Sequence, residues 1–152
     1  MKYIFIYFLL LNSCKSMQAN NENINKSQET AFEVILESVT DGKKEKSLEI
    51  IDDNCKLEAI YSLINLTIEP KHQLPKIDFD NQIVVALFLG EKNSGGYHIV
   101  PVEVVNIDNK TIVNYKEVTP GPRDMVTMSL TQPFCLIKIL NPKKEIEFNK
   151  LK

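Results

Sequence analysis

Apolar positions recur along this chain at two spacings, and the spacings predict its elements. Phe32-Glu33-Val34-Ile35-Leu36-Glu37 and, more briefly, Ser47-Leu48-Glu49-Ile50-Ile51 alternate at period two, as strands with one buried face do. Between them lies Thr40-Asp41-Gly42-Lys43-Lys44, whose Asp-Gly step predicts a hairpin turn. Asp52-Asp53-Asn54 then offers side-chain oxygens and negative charge to a helix start. Leu57, Ile60, Tyr61 and Ile64 follow at i, i+3, i+4 and i+7, with Lys56, Glu58, Ser62 and Asn65 opposite. That spacing predicts one amphipathic helix to about Leu66, packed on a sheet, because its polar face lacks the basic excess of a membrane-surface helix.

Beyond Pro70 and Pro75, Ile83 to Leu89 is apolar without alternation, as expected of a central strand buried on both faces. Tyr97–Ile107 is a further apolar strand in which Pro101 marks a bulge or an unpaired edge. Thr111–Lys116 alternates, Cys135–Leu140 is apolar, and Glu145–Phe148 makes a last short strand. The sum is about seven strands and one helix with no βαβ rhythm, hence an α+β fold, predominantly antiparallel β, with the helix packed on the sheet.

The N-terminus follows a different logic. Lys2 precedes an unbroken apolar run, Tyr3 to Leu11, too short to span a bilayer. The run ends in Leu11-Asn12-Ser13-Cys14, which resembles a bacterial lipobox. On this reading residues 1–13 are a lipoprotein signal peptide and Cys14 becomes the acylated N-terminus. Two or three acyl chains then give stable anchoring, at about 0.8 kcal/mol per buried CH₂. Residues 14–30 hold almost no apolar side chains and read as a flexible tether with a reach of roughly 20–24 Å. Lys15, where Asp would retain a lipoprotein in an enteric inner membrane, points to the outer membrane, on its periplasmic or its surface face. Residues 31–152 form the single folded domain.

Charge and composition narrow the function. A net charge of −2 gives no basic excess for nucleic acid. The histidines, His72 and His98, have no Cys, Asp or Glu partner at metal-ligand spacing, so no metal site and no cofactor is expected. Ser94 beside Gly95-Gly96 lacks the Gly-x-Ser-x-Gly of a nucleophile elbow, and no catalytic residue is assigned. Cys55 and Cys135 fit either a disulfide or two free thiols.

Three of the five glycines and two of the seven prolines fall in two loops, Asn93-Ser94-Gly95-Gly96-Tyr97 and Thr119-Pro120-Gly121-Pro122-Arg123-Asp124-Met125. A chain so poor in Gly is specifying backbone shapes there. Arg123 is the only Arg in the sequence. Ser94, Gly95, Gly96, Tyr97, Pro120, Gly121, Pro122, Arg123, Gln132, Pro133 and Phe134 are the candidate partner-binding residues. Tyr97 and Phe134 supply aromatic surface, the prolines a pre-stiffened loop, and Arg123 a fork for a partner carboxylate. The alternative is that the glycines and prolines only shape connections, that Arg123 pairs with Asp124, and that both aromatics are core.

Three stretches also carry a resemblance: Val84 to Gly90 running into Ser94-Gly95-Gly96-Tyr97, Val118 to Thr127, and Thr131-Gln132-Pro133-Phe134 leading into Leu136 to Ile139. Their order and spacing resemble the C-terminal domain of the PrcB family across residues 82–140. That resemblance implies a non-enzymatic accessory subunit that associates with and stabilises a protease assembly at the cell envelope. The same trio is loosely similar to chagasin-type inhibitors of cysteine proteases, which present three loops from one end of a sandwich. Here Ser94-Gly95-Gly96-Tyr97 stands for Thr-Thr-Gly-Tyr and Gln132-Pro133-Phe134 for Arg-Pro-Trp, in a chain without Trp. Loops gathered at one end favour inhibition, and dispersed loops favour assembly. A small-ligand-binding lipoprotein, a third reading, requires a deep apolar pocket.

Overall fold

Residues 28–142 and 144–152 are described by a computed structural model. Its centre is set by two strands with no polar face, β4 (Gln82–Phe88) and β7 (Phe134–Leu140), which pair antiparallel from Gln82↔Leu140 to Phe88↔Phe134. Strands apolar on both sides need cover on both sides, and two layers provide it. On one side Ile83, Val85, Leu87, Cys135, Ile137 and Ile139 meet Ile99, Val104, Val113 and Tyr115 of β5 (His98–Ile107) and β6 (Lys110–Val118). On the other, Val84, Ala86, Phe88, Phe134 and Leu136 meet Leu57, Ile60, Tyr61 and Ile64 of α1 (Asn54–Ile64). Each Val, Leu, Ile or Phe among them contributes about 1.5–3 kcal/mol on burial, so the two interfaces hold the three layers together.

The remaining strands are β1 (Gln28–Thr30), β2 (Phe32–Ser38), β3 (Ser47–Ile51) and β8 (Glu145–Lys150). One sheet runs β1-β5-β6-β8 and the other β2-β7-β4-β3. Every pairing is antiparallel except β6 with β8. The protein is an α+β fold, a sandwich of two four-stranded sheets with α1 on the outer face of one. The helix follows the sequence closely. Asp53 caps it by accepting from the Lys56 N–H at 2.8 Å, and Leu57, Ile60, Tyr61 and Ile64 are its buried residues.

Several expectations change. The hairpin between residues 32–37 and 47–51 does not form, because β2 and β3 are the two opposite edges of their sheet. The doubly buried β4 and β7 take the middle, and the strands with an exposed face are left for the margins. The 39–46 connection therefore crosses the ends of β7 and β4. Gly42 N–H donates to Gln132 O (3.1 Å), Gln132 N–H to Val39 O (2.9 Å) and Glu91 N–H to Lys44 O (2.9 Å). The alternation of β2 is broken by a register shift between Val34 and Leu36, which leaves Val34 exposed. Pro101 does sit at a bulge, with the β5–β6 register shifting between Pro101 and Glu103. Gln28–Thr30, at the end of the segment read as tether, form β1 and pair with Val104–Asn106. The signal peptide, Cys14 and the rest of the tether lie outside the described residues. Cys55 is free and exposed, and Cys135 is free and buried, so the two are not joined.

The layout gives the molecule two unlike ends. The 39–46, 89–97 and 119–133 connections all leave the sheets at one end. Gln28 is paired with Asn106, next to the β5–β6 turn, so the chain enters the fold at the other end.

Candidate functional site

The loops singled out in the sequence converge on that first end and are tied to one another by backbone. Gly95 N–H donates to Thr127 O (2.9 Å), and the Thr131 hydroxyl donates to Ser94 O (2.8 Å). Lys92 and Thr131 exchange both backbone bonds, at 2.8 and 2.9 Å. Leu89 N–H donates to Pro133 O at 2.9 Å, and Gln132 Nε2 donates to Glu91 Oε2 at 2.8 Å. The segment 119–133 is thereby laid over 89–97, and the 39–46 crossing is laid against Gln132.

The glycines make this contact possible. A Cβ on Gly95 would lie 2.5 Å from Thr127 Oγ1. Gly96 sits at φ +86°, where a Cβ would come within 2.9 Å of Pro120 Cβ and 3.0 Å of Val126 Cγ1. The close backbone approach inferred from Gly-Gly is thus an approach to the chain's own second loop. Pro120 is half-buried against Gly96, while Gly121, Pro122 and Arg123 are exposed.

Asp124 does not pair with Arg123. Its Oδ2 accepts the Gly121 N–H at 2.7 Å, and its own N–H donates to Gly121 O at 3.1 Å, which closes a turn over 121–124. Arg123 has no ion-pair or hydrogen-bond partner among the described residues.

Two proposed contact residues are core. Phe134 is 2% exposed and stacks near Phe88, with ring centroids 5.8 Å apart, and Pro133 is buried beside it. Phe134 faces α1 because it is the first residue of β7, in register with Phe88. Neither side chain offers surface to a partner. Tyr97 is half-buried against the inter-sheet core, with Lys92 Nζ 5.9 Å from its ring centroid. Gln132 is half-buried and occupied by Glu91.

What the end does expose was missed as a site in the sequence. Met125 is 100% exposed, Met128 92% and Leu130 66%, on the segment that carries Arg123. Met125 to Leu130 belongs to no named strand, and of its apolar side chains only Val126 is half-buried. The legible signal was its length: a connection as long as 119–133 inside a small domain is uncommon unless it has work to do.

Electrostatics brace the same end. Glu117 of β6 pairs with Lys46 and with Lys150 of β8 (2.8 Å). Burial pushes the Glu117 carboxyl up, and the two ammonium partners outweigh it, so its pKa lies below the ordinary value. Lys46 is held above its ordinary value, chiefly by its bond to Glu117. Among the described residues no group of three His, Cys, Asp or Glu could hold a metal ion. His98 is exposed, and the His72 backbone is held by Asn65 through two bonds of 2.8 and 2.9 Å. A hollow of about 470 Å³ beside the end of α1 has Glu58, Ser62, Lys71 and His72 in its walls with Leu66 and Leu74. That mixed lining differs from the apolar pocket a small ligand requires.

Residues 83–139 match the family model described as PrcB C-terminal. The match begins in β4 and ends in β7, a little over a third of the chain, and it contains two of the three connections at the loop end. The remaining elements, including α1 and the 39–46 crossing, lie outside it. Neither a curated protein nor a solved structure matches the chain.

Proposed function

We propose, from the PrcB C-terminal match of residues 83–139, that this chain is a non-enzymatic accessory subunit that binds a protein partner through the loop end of its sandwich. A lipid on Cys14 holds it at the cell envelope. One observation supports this reading above the others: the loops inside the matched segment are locked to each other by backbone bonds and present their side chains together at one end. A pre-ordered surface loses little freedom on binding, and that favours recognition.

Affinity capture from detergent-solubilised envelopes tests it, with the tagged full-length protein as bait. A Pro122→Ser/Arg123→Glu/Gln132→Ala variant runs beside it, together with an Asn109→Ala control at the opposite end. A stoichiometric partner lost only in the loop-end variant is the expected result. No partner for the unaltered protein, or equal capture by all three, overturns the reading.

Convergence of three connections on one end of a sandwich also favours a second reading, inhibition of a cysteine protease by insertion of loops into its cleft. Burial of Phe134 counts against it, since the Gln132-Pro133-Phe134 element then presents no aromatic side chain. Titration of a cysteine protease with the full-length protein separates the two, because only an inhibitor gives stoichiometric loss of peptidase activity.

A further inference from the structure

We draw no further inference here: the strongest candidate, the exposed apolar patch of Met125, Met128 and Leu130 on the connection between β6 and β7, carries nothing because nothing in the structure shows what covers it.

Discussion

At φ +86°, Gly96 holds a backbone shape that an L side chain rarely adopts, and its missing Cβ is the space that Pro120 and Val126 occupy. Gly96→Ala therefore combines backbone strain with a collision, and it should cost more than about 1 kcal/mol in urea unfolding. A neighbouring pair of residues gives a sharper contrast. Phe134→Ala empties a site that is 2% exposed and should cost about 3–5 kcal/mol. Met128→Ala, at 92% exposed, should stay within about 0.5 kcal/mol of the unaltered protein. If Phe134→Ala were tolerated as well as Met128→Ala, the assignment of Phe134 to the core would be wrong. Whether an aromatic next to Pro faces in or out is not written in its local sequence. It depended on register with Phe88, a residue far away in the chain.

The legibility of each element depended on how local its cause is. Asp53 and the Leu57, Ile60, Tyr61, Ile64 stripe lie within one short window, and the helix emerged as its pattern dictates. Asp53→Ala removes the acceptor for Lys56 N–H and should cost about 0.5–2 kcal/mol by thermal unfolding. The strands were equally visible, but their neighbours were not, because pairing is a contest among distant segments. Asp41-Gly42 did make a turn, with Asp41 at φ 63°, yet β4 and β7 outcompeted β2 and β3 for each other's company. Burial in that central pair also separates the two described thiols. Cys135 is pushed up to about 12, by burial first and then by Glu37, whereas Cys55 stands exposed at the start of α1. At neutral pH a thiol reagent should label Cys55 in the folded protein and reach Cys135 only after denaturation. Rapid labelling of Cys135 in the native state would contradict the central placement of β7.

Across the whole molecule, Glu117 joins three segments that lie apart in the chain. Lys46 stands just before β3 of one sheet, Glu117 lies in β6 of the other, and Lys150 ends β8. No local pattern announces such a tie, because its members come from three separated segments that only the folded sandwich brings together. Its signature is a pH dependence. The ordinary Glu value is 4.5, and the folded protein holds Glu117 below it, with the pull of Lys150 and Lys46 exceeding the push of burial. Above 4.5 the carboxylate is ionised in folded and unfolded chains alike, so the full stabilisation is present at neutral pH. As pH falls, the unfolded chain takes up its proton first, and stability drains away until the folded Glu117 is protonated too. Glu49 adds to the same trend: burial raises its pKa, bonds from Lys43 and Ser47 lower it further, and the net value is depressed. The melting temperature should thus be flat near pH 7 and fall progressively below about pH 5. Glu117→Gln should start lower at pH 7, fall less steeply, and approach the unaltered protein at the acid end of the titration. Parallel curves at every pH would mean that the charge of Glu117 contributes nothing and that the apolar interfaces alone hold the two sheets together at the loop end.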